Sequence, residues 1–231
     1  MPVRLQGLFL ERARISLEVY IIFFSVSAKR RFEFKQFQEF FEEEHHQILH
    51  PSQTRWLSLY RAVKRVLKQM DALKEYFLRI QPIERLESID KIVFYLSSPA
   101  VFLYLNFLNY ILPKIAQLNL LFQRESPSIH EIHFKITSAY KDILHCFINL
   151  TMLHRPNVTL SSLDPSLESN HVPVKDIYLG AVLNKMLQQE KYLQNPALIE
   201  DFRKRCRGFL IKICQEIKKR FDMNDQLLHM I

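Results

Sequence analysis

Three glycines, Gly7, Gly180 and Gly208, are all that this chain of 231 residues contains. Tight strand-to-strand turns and phosphate-cradling loops need backbone at positive φ, which glycine supplies at least steric cost. Three are too few for a strand-and-turn fold or for a glycine-rich nucleotide loop. An all-α chain is the reading that remains. Hydrophobic residues make up 48% and charged residues 24%, the balance of a folded globular chain and not of a disordered one. The length suffices for one sizeable core or two small ones.

Hydrophobic spacing and prolines predict helices over 10–24, 28–46, 54–80, 84–96, 99–122, 128–153, 174–193 and 196–221. The stretch 54–80 has the clearest pattern. Trp56, Leu59, Val63, Val66, Met70, Leu73, Phe77 and Ile80 step alternately three and four residues, the unbroken apolar seam of one long helix. Arg61, Lys64, Arg65 and Lys68 gather on another face of it. One side therefore needs a helical partner, and the other offers a positive stripe or a solvated face. Ser98-Pro99 and Asn195-Pro196 each place a capping side chain before a proline at the first helical position. Ser128 and Glu131 have capping-box spacing. The Pro-, Ser- and Asn-rich run from Arg155 to Asp176 predicts a long surface connection or mobile segment that separates a main helical body from a C-terminal helix pair.

Two charge runs stand out. In "SAKRRFEFKQFQEFFEEE" Ser27 is placed to cap a helix, yet Lys29, Arg30 and Arg31 then sit at its positive end and Glu42, Glu43 and Glu44 at its negative end. Each placement opposes the macrodipole, by about 0.3–1 kcal/mol at low salt. Either the helix starts earlier or the basic trio is kept for a contact; the earlier start is the simpler expectation. In "RKRCRGFLIKICQEIKKRF", Phe202, Cys206, Phe209, Ile213, Ile217 and Phe221 are expected to line a core face, with the bases solvated.

The formal net charge of +8 favours polyanionic partners without demanding them. Cys146, Cys206 and Cys214 lack metal-finger spacing and read as reduced thiols, the last two packing as small hydrophobes in a helix. Charges interrupt the N-terminal apolar run, so no secretory signal is expected, and the Asn157-Val158-Thr159 sequon reads as chance. The uncharged stretch Ile92 to Pro113 is long enough for a membrane span, but Ser97-Ser98-Pro99 divides it. It is read as a buried hairpin of helices, and no membrane partner is expected.

Candidate chemistry is sparse. Glu42, His46 and His50 recur at fourth positions without the further ligands that a metal site needs, and His130 with His133 is a similarly weak pair. Neighbouring helical side chains diverge by about 100°, so His145 is not expected to activate Cys146. Glu87, Asp90 and Asp142 have no spacing that recommends them as a nuclease centre. No nucleophile elbow, Walker loop or dinucleotide fingerprint occurs. No catalytic residue, metal, cofactor or small-molecule substrate is assigned.

The stretch "FFSVSAKRRFEFKQFQEFFEEEHHQILHPSQTRWLSLYRAVKRVLKQMDALKEYF" resembles the hAT superfamily of DNA transposases. Ser-x-Ser-Ala-Lys-Arg, a Phe/Gln-rich helix, then Ile-Leu-x-Pro-x-x-Thr-Arg-Trp-Leu-Ser-Leu carry the likeness, and "CRGFLIKICQEIKKRF" is similar to that family's closing insertion helices. The resemblance implies a ribonuclease H-like core interrupted by a multi-helix insertion domain with long amphipathic helices. Three carboxylates of such a core hold divalent metal ions. The first two are expected before residue 15 and the third beyond Ile231, so the chain reads as the insertion domain and not as an enzyme. On that likeness, 1–27 is a lead-in from the truncated core and 28–154 the main helical insertion. The irregular connection is then 155–175, and 176–231 the C-terminal helix pair. It also implies that Arg55 contacts a phosphate and Trp56 stacks on a base turned out of the duplex, worth roughly 1–3 kcal/mol. Against this, the seam spacing equally allows Trp56 to pack inward. The expectation is a non-catalytic transposase remnant, nuclear or else cytoplasmic, that binds DNA weakly through Arg55, Trp56, Arg61, Lys64, Arg65 and Lys68. The alternative is a helical module for self-association without DNA binding.

Overall fold

The computed structural model describes residues 23–24, 27–40, 56–121 and 129–221. Within these residues the regular structure is helical, apart from one isolated antiparallel bridge between Ile148 and His171. The chain is all-α, as its glycine scarcity predicts. In order, the described α-helices are α1 Ala28–Phe40, α2 Trp56–Lys68, α3 Met70–Glu84, α4 Glu87–Ser97, α5 Pro99–Leu121, α6 Ile129–Leu144, α7 Leu150–Leu153, α8 Ala181–Met186, α9 Glu190–Leu193 and α10 Pro196–Arg220. Short 3₁₀ turns occupy Glu168–Asn170 and Val174–Asp176. The chain divides into two compact units, Met1–Pro113 and Lys114–Ile231, the division falling at a proline inside α5.

In the first unit α3 packs against both α1 and α4. The predicted seam forms its core from Val63 on: Val63, Val66, Met70, Leu73, Phe77 and Ile80 are all buried, while Leu59 is half-buried and the Trp56 side chain lies outside the described residues. The single long helix expected there is two helices, separated at Gln69 (φ −103°, ψ 17°). This break barely interrupts the hydrogen-bond ladder. The Gln69 N–H still reaches Arg65 O at 3.0 Å, and the Leu73 N–H reaches Gln69 O at 2.9 Å. The seam therefore continues in register across it.

Ser27 does begin a helix: its Oγ accepts the Arg30 N–H at 3.3 Å, and α1 starts at Ala28. The expected earlier start is thus corrected, and the basic trio is used for contacts. Arg30 bonds Glu84 at 2.7 Å while lying 4.0 Å over the Phe23 ring. Arg31 donates to Phe24 O at 2.9 Å, and Lys29 pairs with Glu33. These bonds fasten the start of α1 onto an aromatic cluster of Phe24, Phe34, Tyr76 and Phe77. A dipole penalty at one helix end is offset by a half-buried ion pair to another helix.

Within the uncharged run Ile92–Pro113 the α5 part is buried, with Leu103, Leu105, Phe107, Leu108, Ile111 and Leu112 inaccessible to solvent, whereas Phe94 is exposed. The run is an elbow, though, and not a hairpin. No single described helix is long and apolar enough to cross a membrane, and α4 passes that test only together with Pro99–Leu118, at a bend of 70°.

The second unit is built on α10, which packs against α6, α9 and the 3₁₀ turn Val174–Asp176. Asn195 caps it by accepting the Leu198 N–H at 3.1 Å, with Pro196 at the first position. Phe202, Cys206, Phe209, Ile213 and Ile217 form its buried face as predicted; Phe221 is only half-buried.

Two predicted helices are shorter than their patterns. The one expected over 128–153 ends at Leu144. Cys146, Phe147 and Ile148 are buried in succession beyond its end. The chain unwinds there and spends its polar backbone on residues 170–178. Phe147 O accepts the Val172 N–H, Cys146 O accepts the Tyr178 N–H (both 2.9 Å), and the Asn149 N–H reaches Asn170 O at 2.8 Å. The helix expected over 174–193 is instead a 3₁₀ turn, α8 and α9. Gly180, at φ 96°, breaks it, in a region that other residues rarely enter.

The connection expected over 155–175 lies inside the second unit and is pinned down. Leu163 and Asn170 are buried, and the His171 ring nitrogen Nε2 bonds Pro165 O at 2.9 Å. The Lys218 ammonium donates to Ser161 O at 2.7 Å and Leu163 O at 2.8 Å. Lys218→Met would strand two carbonyls. We expect it to cost about 1–3 kcal/mol in urea unfolding and to open residues 155–166 to proteolysis. Parent-like stability with unchanged cleavage would show that the ammonium is not the pin.

Candidate nucleic-acid interface

The seam sets the orientation of everything else on α2. With Val63 and Val66 buried, Arg61, Lys64 and Lys68 emerge exposed and Arg65 half-buried. Tyr60, Lys64 and Lys68 form one i, i+4, i+8 row along the helix, and Arg61 with Arg65 forms the next. The cations span about 10 Å of axis at 1.5 Å per residue. Trp56 opens α2, but its side chain, like all of Arg55, lies outside the described residues. So do Glu42, His46, His50 and the His130 side chain.

Several basic residues of α1 and α10 pair with acids on their own helix. On α10, Lys204 pairs with Glu200 and Arg205 with Asp201, while Lys212 and Arg220 share Glu216. Arg203 donates to Ile177 O at 3.0 Å, and burial pulls its guanidinium below the ordinary value. On α1, Lys29 pairs with Glu33 and Lys35 with Glu39. By contrast, α2 reads WLSLYRAVKRVLK and contains no acid. Like charges at three- and four-residue spacing each destabilise a helix by about 0.2–0.5 kcal/mol, and α2 has no carboxylate of its own to offset them.

Tyr60 is half-buried, whereas Tyr76, Tyr140 and Tyr192 are buried in the cores.

The remaining candidates do not converge. Glu87 bonds Lys91 at 2.6 Å, which holds its carboxyl below the usual range; Asp90 accepts from Gln81 at 2.8 Å; Asp142 pairs with Lys114 at 3.3 Å. Among the described residues no three His, Cys, Asp or Glu side chains are grouped to hold a metal ion. His145 is exposed while Cys146 turns inward and donates to Asp142 O at 3.3 Å. A groove of about 690 Å³ in the second unit is lined by Ile177, Leu187, Leu193, Ile199 and Arg203 among others. Lys175, Asp176, Asn184, Gln188 and Glu200 also line it, and its guanidinium is already bonded to backbone.

None of the three cysteines is in a disulfide, and all are buried. Burial pushes the Cys206 and Cys214 thiols well above the ordinary value of about 9. A raised folded value means that the native state keeps protons that the unfolded state loses. Stability from these thiols is therefore complete below about pH 9 and falls as pH rises above it. A thiol reagent should label none of the three in the native chain at neutral pH and all of them in urea; rapid native labelling would contradict their burial. No family model, curated protein or solved structure matches this chain.

Proposed function

We propose that this chain is a non-catalytic helical module, derived from the insertion domain of a hAT-type transposase, that binds nucleic acid weakly and without sequence specificity in the nucleus. The observation that carries it is the acid-free α2, whose Arg61, Lys64 and Lys68 are turned outward by a buried apolar seam. A row of cations on a rigid element offers phosphates a set of contacts and has no means by itself of reading base edges. The transposase origin rests on the resemblance around Thr54-Arg55-Trp56 and is consistent with an all-α chain.

Up to three cations on phosphates predict a plot of log affinity against log salt with a slope no steeper than about −3 on duplex DNA. Neutralising Lys64 with Lys64→Gln should weaken binding to every sequence alike and shallow that slope by about 1. Fluorescence anisotropy at several salt concentrations measures both. Salt-indifferent binding, or an unchanged slope in Lys64→Gln and Arg61→Gln, would remove the α2 surface from the proposal.

A second reading, self-association without DNA binding, draws on exposed apolar side chains: Ile83 (74%) and Phe94 (70%) in the first unit, Phe134 (69%) and Val182 (69%) in the second. Scattered apolar exposure is ordinary, whereas a contiguous patch marks an interface. On this reading light scattering should report a dimer or larger species that Phe94→Ser or Phe134→Ser dissociates. A monomer at high concentration would exclude it.

A further inference from the structure

We infer that α6 is a strap that lifts from α10 as a unit, hinged at its C-terminal end, while the rest of the second unit stays folded. Three side chains of α6 carry polar atoms that solvent does not reach and that have no hydrogen-bond partner among the described residues: His133 Nε2, Thr137 Oγ1 and Tyr140 OH. Steps of four and then three place them on one face of the helix. Tyr140 is fully enclosed; burial pushes its phenol above the ordinary value, and Cys214 of α10 and Asp164 add to the push. Thr137 does not even make the bond to a carbonyl one turn back that is open to a threonine in a helix.

A buried polar atom without a partner has lost its water and gained nothing in return, and it regains that water when its helix swings out. On α10 no described side chain carries such an atom, and its buried face from Phe202 to Ile217 is made of Phe, Leu, Ile and Cys. The apolar contacts of Ile136, Ile143 and Leu144 hold α6 down, and the orphaned row works against them. The other end of the helix is tied. Beyond Leu144 the backbone bonds to residues 170–178 through Cys146 O, Phe147 O and the Asn149 N–H. The Cys146 thiol donates to Asp142 O, and Lys114 holds the Asp142 carboxylate at 3.3 Å. All three orphaned atoms lie ahead of this anchor, so lifting starts from the Ile129 end and pivots beside Cys146. Such openings below the global unfolding free energy are what native-state hydrogen exchange detects.

The test is hydrogen exchange of the full native chain at increasing urea, read by mass spectrometry after digestion. Amides over 133–143 in the parent should exchange through an opening that urea barely promotes. They should exchange faster than those over 206–217, which wait for global unfolding. Thr137→Val and Tyr140→Phe keep the side-chain shape and remove the oxygen that lacks a partner. Each should slow exchange over 133–143 by roughly 5- to 150-fold, the effect of relieving one desolvated polar group. Exchange of 133–143 and 206–217 in a single urea-dependent event overturns the inference, and that measurement on the parent needs no variant to fold. Unchanged or faster exchange over 133–143 in the folded variants overturns it as well, because the hydroxyls would then have partners in the native chain.

Discussion

Burial of the apolar seam on α2 and α3 determines which surface the first unit presents. Val63, Val66, Met70, Leu73, Phe77 and Ile80 leave water together, and each fully buried side chain of this kind contributes about 1.5–3 kcal/mol against exposure. Rotating α2 by a quarter turn would bring Arg61 and Lys64 toward that core and expose two valines. The desolvation cost of an unpaired charge there exceeds anything that the surface could return. The outward face of the cations thus follows from the inward face of the valines.

This dependence explains why some parts of the fold were legible in the residue pattern and others were not. The seam and the buried face of α10 repeat at helical spacing, so periodicity alone placed them, and Asn195-Pro196 marked the start of α10 with a local cap. The failures have a common cause. At Cys146–Ile148 three successive residues are buried, and at 174–193 a helical-looking run is broken at Gly180; in both places the backbone bonds to segments remote in sequence. Local pattern carries no information about those partners. Arg30 is the same case in reverse: its position at a helix N-terminus looks unfavourable until Glu84, 54 residues away, is set beside it.

Lys218 makes the point for charge. In the sequence it belongs to a basic run on α10 that reads as a solvated surface, and most of its neighbours there do pair with acids one turn away. Lys218 instead turns to two backbone carbonyls of the 155–175 segment. A composition rich in Pro, Ser and Asn predicts an untethered loop only when nothing buried requires its backbone, and here a half-buried ammonium does. The candidate site fared differently. Arg61, Lys64 and Lys68 are exposed where the pattern put them, while the Arg55-Trp56 motif that suggested a nucleic acid in the first place falls outside the described residues.

The electrostatics of α2 bear on whether its stripe is incidental. Lysine and arginine in the last turn of a helix are ordinarily stabilised by the dipole, and Arg65 and Lys68 occupy that turn. But the benefit comes from carbonyls without partners, and here the ladder runs on into α3: Arg65 O already accepts the Gln69 N–H, and Gln69 O accepts that of Leu73. With those carbonyls occupied, the dipole offers less relief than it would at a free helix end. Repulsion between like charges one turn apart weighs on a helix that carries no acid of its own, and at physiological salt a Debye length of about 8 Å lets such neighbours still feel one another. A phosphate backbone relieves that repulsion at several positions at once, whereas a single solvent anion relieves it at one. The same burial that turns the stripe outward therefore leaves α2 in a state that binding a chain of phosphates would stabilise.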